Sequence, residues 1–379
     1  MAEASSPLLS SLSSHHNRNL LIFCAVSMML VSALADDLPP VFMFGDSTFD
    51  VGTNNYIPSG ATANFSYYGI DFPFSQATGR FSNGYNSADE IVKQLGYRQS
   101  PPPFLALLQD NSTFQSNLLQ GVNFASGGAG ILNTTGFQTW GEVISMEQQV
   151  QQFATVQGNI TWLLGQNNSA KFFASSLFFI SVGSNDIIDH YFYDEATVSQ
   201  IELMAEIQSN YTAHLTALYN LGARKFGIVS VPPIGCCPFA LLLNWTESGP
   251  GCLTELNDYA QAFYSTISAL LQNLSSQLQG MIYSLGDAYT MTSILMDVPG
   301  VVGIVNIEAA CCGGGRLNAD VPCNITDSPN LCLNRNEYLF WDKFHPTQNA
   351  ARKAAIALFT GTPTFVSPMN FSQLAQASA

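Results

Sequence analysis

Val41-Phe42-Met43-Phe44-Gly45-Asp46-Ser47 is the stretch on which the reading of this chain turns. Four apolar residues in succession, stopped by a glycine, describe a buried strand that ends abruptly. Outward from it the same layout recurs. Val122-Asn123-Phe124 runs into Ala125-Ser126-Gly127-Gly128-Ala129-Gly130, Leu177 to Val182 ends at Gly183, Phe226 to Val231 stops at Pro232-Pro233, and Met281 to Leu285 is a fifth run. Helical patterns alternate with these runs. Ser87 and Glu90 have capping-box spacing and open a helix over 88–95 that Gly96 closes; others cover 196–221, 253–278 and 346–358. Parallel strands need crossovers of about a dozen residues or more, and helices supply them, so the alternation predicts one α/β domain over 36–379 with about five parallel strands covered on both faces. Ligands in such folds bind at the carboxyl ends of the strands. The segments placed to meet a ligand are therefore Gly45-Asp46-Ser47, Ser126-Gly127-Gly128 and Gly183-Ser184-Asn185-Asp186.

The chain of 379 residues carries 12 Lys+Arg against 27 Asp+Glu, a formal charge of −15. With no basic run, it would repel a phosphate backbone, which excludes nucleic acid as a partner. Charged residues are only 10% of the chain, against about 25% in ordinary soluble domains, so something other than charge must keep the surface wet. Asn-x-Ser/Thr triplets at Asn64, Asn111, Asn133, Asn159, Asn167, Asn210, Asn244, Asn273, Asn324 and Asn370 offer sugar for that purpose. The apolar run of residues 20–31 follows His15, His16 and Arg18 and precedes Ala33-Leu34-Ala35, the layout of a secretory signal peptide over 1–35. It is shorter than the roughly 20 apolar residues that span a bilayer, and no other stretch comes closer. The expectation is a secreted, extracellular glycoprotein with no transmembrane segment after cleavage.

Cys24 leaves with that leader, so an odd set remains: Cys236, Cys237, Cys252, Cys311, Cys312, Cys323 and Cys332. In an oxidising compartment these predict a local bridge from Cys236 or Cys237 to Cys252, one or two bridges between Cys311 and Cys332, and one unpaired thiol. Adjacent Cys-Cys pairs lack zinc-ligand spacing, and metal is set aside.

Acyl transfer by a hydroxyl needs a serine at an exposed strand end, a histidine to take its proton, a carboxylate to orient the histidine, and donors for the oxyanion. Ser47 is the candidate nucleophile, although a serine at a strand-to-helix turn also serves as an N-cap. His190, His214 and His345 are the histidines beyond the leader. His345, in Asp342-Lys343-Phe344-His345-Pro346, is favoured, because the proline holds its backbone extended and Asp342 can fold back onto Nδ1, leaving Nε2 as the base. An Asp–His pair that merely braces a loop is the other reading of that spacing. The amide of Ser47, an amide of Gly127 or Gly128, and the Asn185 side chain are candidate oxyanion donors; tight and Asx turns are the alternative account of those two segments.

Taken together, Phe44-Gly45-Asp46-Ser47 with Asp50 and Asn54-Asn55, Gly79-Arg80-Phe81-Ser82-Asn83-Gly84, Gly121 to Gly130, Gly183-Ser184-Asn185-Asp186, Val231 to Cys236, Cys311-Cys312-Gly313 and Trp341-Asp342 to His345-Pro346-Thr347 resemble, in order, the blocks of the GDSL esterase/lipases, the SGNH hydrolases, and their plant branch above all. The resemblance spans about residues 40–360. It implies a flavodoxin-like α/β/α sandwich in which Ser47 attacks an ester, His345 is the base, Asp342 orients it, and Gly127 or Gly128 joins Asn185 in the oxyanion hole, with no cofactor. Substrates would be small-molecule, lipid or wall-polymer esters. Thr48 stands where that family usually has an apolar residue, Thr53 replaces a common asparagine, and Cys237 is an extra cysteine. Gly-x-Ser-x-Gly, the mark of the α/β-hydrolases, is absent from the chain. An acyltransferase sharing the acyl-enzyme, or a wall- or sugar-binding protein on this scaffold, are the rival readings.

Protein secreted from a eukaryotic host is expected to begin at Asp36 on N-terminal sequencing and to lose mass on treatment with peptide N-glycosidase. An intact Met1, or a mass that the glycosidase leaves unchanged, contradicts the secretory reading.

Overall fold

The strand at residues 41–45 forms as expected and lies in the interior of a six-stranded sheet. A computed structural model describes residues 38–109, 114–194, 197–323 and 329–378; the expected leader and the triplets at Asn111 and Asn324 lie outside them. The strands are β1 (Val41–Gly45), β2 (Gly121–Asn123), β3 (Leu177–Ser181), β4 (Lys225–Val229), β5 (Ile282–Gly286) and β6 (Val366–Ser367), in the spatial order β6-β5-β4-β3-β1-β2. β1 to β5 are parallel in the order 2-1-3-4-5, the flavodoxin-like arrangement. β6 runs antiparallel to β5 and is a correction to the expected five strands. Two paired residues followed by Pro368 present no apolar run for a sequence reading to detect.

Register places the strand ends level. Gly45 is opposite Ser181, Ser181 opposite Val229, and Val229 opposite Gly286, so the loops that leave these strands emerge on one rim. Alternate residues separate the two faces. Phe42, Phe44, Phe124 and Phe178 meet Phe153 of α2 (Met146–Leu164) and Phe173 of α3 (Gln166–Ser175), along with α4 (Gln200–Asn220) and α5 (Thr254–Gln277). Phe42 and Phe153 have ring centroids 5.1 Å apart, edge to face, and each fully buried phenylalanine contributes about 1.5–3 kcal/mol. Val41, Met43, Leu177 and Phe179 face the other way, onto α1 (Ser87–Gln94), α7 (Gln348–Thr360) and α8 (Phe371–Gln376), with α6 (Ala288–Asp297) beside them. The result is a three-layer α/β/α sandwich over Pro39–Ala379. Among the described residues no helix is long and apolar enough to cross a membrane.

Some local expectations shift. α1 is capped by Asn86 with Asp89, one residue before the predicted Ser87–Glu90 pair. Asp89 is held there by a buried bidentate pair with Arg80, at 2.6 and 2.9 Å, whereas Glu90 binds Lys93. α2 and α3 fill a crossover in which the sequence reading named no helix; the Ser145–Gln148 capping box is the signal that marks it. Cysteines pair as Cys236–Cys252, Cys311–Cys332 and Cys312–Cys323, and Cys237 is the unpaired, buried thiol. None of the eight described Asn-x-Ser/Thr asparagines is buried.

Gly45 has φ 140°, and a Cβ there would lie 2.0 Å from the Ser181 carbonyl oxygen. Gly158, in the exposed interior of α2, has nothing within 4 Å of its added Cβ. In urea unfolding, Gly45→Ala is expected to cost about 2–4 kcal/mol, and Gly158→Ala to stabilise by about 0.5–1 kcal/mol.

Candidate active site

β1 delivers Ser47 two residues past its end, and the Gly45 conformation turns the chain there. The Gly45 amide and carbonyl are both held by the buried Gln149 side chain of α2, each at 2.8 Å, and Asp46 donates its amide to the Ser181 carbonyl at 3.0 Å. Thr48, the departure from the family pattern, is absorbed locally: its amide and hydroxyl both donate to Asp46 Oδ1, at 2.9 and 2.7 Å, and the hydroxyl lies 3.0 Å from Ser181 Oγ. The nucleophile turn is therefore tied to the ends of both β1 and β3, the point at which strand order reverses.

The Asp342–His345 turn comes from the other end of the chain. Trp341 is fully buried and donates its amide to the His345 carbonyl at 2.7 Å. The cystine-linked pair Cys311 and Cys312 donate amides to Phe340 and Trp341, which fixes the segment that enters the turn. Asp342 Oδ1 accepts the amides of Phe344 and His345 at 2.9 and 2.8 Å. Thr347 caps α7, whose first residue, Gln348, lies two positions beyond the expected start at Pro346.

These two turns meet. His345 Nδ1 lies 2.9 and 2.8 Å from the two Asp342 oxygens, and Nε2 lies 2.8 Å from Ser47 Oγ. With Nδ1 protonated and donating to the Asp342 carboxylate, Nε2 accepts from the serine hydroxyl. Tyr68 donates to Asp342 Oδ2 at 2.7 Å from 274 residues away in sequence. Burial on its own raises the Asp342 carboxyl, but the His345 charge and hydrogen bond, the Phe344 amide and the Tyr68 hydroxyl together hold it below the ordinary range. Phe81 packs on the imidazole, with centroids 4.8 Å apart. Tyr68 carries no signal of its own in the sequence, and Phe81 stands in the Gly79–Gly84 block without any local mark of its contact with His345: both contacts are long-range. The other histidines are elsewhere engaged, His190 with the Tyr259 hydroxyl and His214 with the Ile131 carbonyl, each at 3.0 Å.

The glycine-rich turn after β2 is ordered by two buried side chains. Asn54 donates to the Ala61 and Gly127 carbonyls and accepts from Ser126 Oγ. Asp50 accepts the amides of Gly52, Thr53 and Gly127. The last of these bonds corrects one expectation: the Gly127 amide is committed to Asp50 at 2.9 Å. Gly128, the alternative, lines the cavity with Ser47, Asn185 and His345. Among the described residues no protein acceptor engages the amides of Ser47 or Gly128. Asn185 donates one amide hydrogen to the Ala129 carbonyl at 2.9 Å and keeps the second. That cavity has a volume of about 830 Å³, within the span of about 300–1,000 Å³ usual for ligand pockets. No cluster of three or more metal-ligating side chains occurs among the described residues.

Comparison with known proteins identifies the family of the chain. The family model for GDSL-like lipase/acylhydrolase matches residues 41–358. GDSL esterase/lipase At4g16230 of Arabidopsis thaliana is 36% identical over 345 residues, covering 89% of this chain and 91% of that protein. GDSL esterase/lipase 7 of the same plant is 34% identical over 345 residues, covering 89% and 92%. An acetylxylan esterase from Geobacillus stearothermophilus, solved as a catalytic mutant, aligns at 10% identity and TM-score 0.34 over 84% of this chain and 92% of that one, too distant a likeness to bear on chemistry. The match of a family model across residues 41–358, with relatives of that identity over nearly the whole length, shows that the chain belongs to the GDSL lipase/acylhydrolase family of ester hydrolases.

Proposed function

We propose that this chain is a secreted serine esterase that hydrolyses carboxylic esters through an acyl-enzyme on Ser47. The observation that carries the reading is the line of contacts Ser47 Oγ, His345 Nε2, His345 Nδ1 and Asp342, with each link at 2.8–2.9 Å. In it, Ser47 Oγ attacks the ester carbonyl as Nε2 takes its proton. Negative charge on the carbonyl oxygen is met by the amides of Ser47 and Gly128 and the second Asn185 amide hydrogen, donors already oriented before reaction. The imidazolium returns its proton to the departing alcohol, and water, deprotonated by the same nitrogen, releases the acid. Asp342 remains a carboxylate throughout and holds the tautomer. Three disulfides, the sequence of the leader and eight glycosylation triplets whose asparagines are not buried support an extracellular setting.

Ser47→Ala is expected to lower kcat by roughly 10⁴- to 10⁶-fold and to abolish labelling by a fluorophosphonate, with the thermal transition kept. Equal labelling of both proteins removes Ser47 from the mechanism.

In Tyr68→Phe the Asp342 carboxyl loses one of the donors that hold it low, so it takes up a proton at higher pH and the acid limb of kcat/KM moves to higher pH. A limb that stays in place while stability falls would assign Tyr68 to packing alone.

A further inference from the structure

The Asp342–His345 turn carries a cation. Lys343 lines the same cavity as Ser47, and its ammonium lies 5.3 Å from the ring centroid of Phe239 and 5.2 Å from that of Phe344. Ring faces attract an ammonium but offer its hydrogens no lone pair. Among the described residues Lys343 Nζ enters no ion pair and meets no side-chain or backbone acceptor, whereas Arg80, Lys93 and Arg335 each hold a carboxylate. The aspartates at the cavity are committed elsewhere. Asp46 accepts from Thr48, Asp189 from the Gly136 amide at 2.6 Å and the Thr139 hydroxyl at 3.3 Å, and Asp342 from His345 and Tyr68. Lys343 is therefore a half-buried cation without a counter-ion, in a chain whose formal charge is −15. Its backbone is fixed, because its carbonyl accepts the Phe239 amide at 3.1 Å.

We propose that Lys343 recognises a carboxylate on the alcohol portion of the substrate, an inference that rests on the esterase reading and names its substrate class: esters whose departing alcohol or phenol is itself an acid. In that reading His345 Nε2 gives its proton to the departing oxygen, so the alcohol leaves against the imidazole. Phe344 adjoins the same imidazole, with centroids 6.2 Å apart, and the Lys343 ammonium lies over Phe344. One aromatic ring thus spans the step from base to cation. A carboxylate set about one ring's width from the ester oxygen meets the ammonium there and supplies the acceptor that the protein withholds. The rings of Phe239 and Phe344 keep water from that bond and strengthen it. A single ammonium balances a single charge. A phosphate dianion would leave excess negative charge beside Asp342, and Lys353, the other lysine at the cavity, belongs to the body of α7.

The test is kcat/KM for three butyryl esters that differ only in the para group of the departing phenol: 4-butyryloxybenzoate, 4-butyryloxybenzamide and 4-butyryloxyphenyltrimethylammonium. Each value is divided by the rate of hydroxide-catalysed hydrolysis of the same ester, which removes intrinsic reactivity. The wild type is expected to favour the benzoate over the benzamide by about tenfold, and the preference to shrink as salt is raised. Lys343→Met is expected to abolish that ratio, Lys343→Arg to keep it, and Lys343→Glu to transfer the preference to the trimethylammonium ester. A wild-type ratio of one or less, or a ratio that Lys343→Met leaves unchanged, overturns the proposal and leaves the esterase intact, because turnover of the benzamide is still measured. A Lys343-dependent gain confined to an anion on the acyl side, read from p-nitrophenyl adipate against p-nitrophenyl butyrate, also overturns it. Absence of hydrolysis of every ester by the wild type, together with absence of fluorophosphonate labelling, overturns the esterase reading and this proposal with it.

Discussion

A carboxylate taken out of water must be supplied with hydrogen-bond donors, and that constraint organises the rim of the sheet. Asp50, Asp186 and Asp342 are all buried there, and each gathers backbone amides from a loop that has no regular structure of its own. An unpaired buried charge costs several kcal/mol, so the loops are held in the conformations that satisfy it. Asp50 orders the turn that carries Gly128, Asp186 gathers the amides of Ile131 and Leu132 and the Thr135 hydroxyl, and Asp342 closes the turn that carries His345. The loops that carry the candidate catalytic groups are thus located by buried carboxylates.

The same burial gives these aspartates different responses to pH. Desolvation outweighs the donated amides at Asp50 and Asp186 and pushes both up to about 6. A carboxyl raised in the fold favours the folded state at low pH, and that contribution is lost as pH rises from about 4 to about 6. Asp342 runs the other way. His345 and Tyr68 hold it below its ordinary value, so its contribution is present above the ordinary carboxylate range and is lost as pH falls below it. The loops that shape the site and the pair that would move the proton therefore respond to acid in opposite senses.

Much of this arrangement was legible because it is local. The apolar run at 41–45, the Gly45 turn and the three-residue spacing of Asp342 and His345 are short-range features, and the geometry keeps all three. Loss of legibility followed where a role depends on a partner far away in sequence. Gly127 and Gly128 are equivalent as letters, and only the distant Asp50 carboxylate separates them by engaging one amide. Tyr68 is one tyrosine among fourteen until Asp342 is brought to its hydroxyl. Residues 366–367 form a strand because the edge of β5 offers them backbone partners, without any apolar pattern of their own.

By itself the sequence determined the layer architecture and the cysteine clusters, and it singled out Ser47, His345 and Asp342 as candidates, since each depends on periodicity or spacing within a few residues. Tertiary structure decided the rest: the level strand ends that bring Ser47 to His345 across 298 residues, the choice of Cys236 over Cys237 for the bridge to Cys252, and the cavity of about 830 Å³ beside Ser47. A void has no residue of its own to be read. It exists only as the difference between the volume two packed layers enclose and the volume their side chains fill.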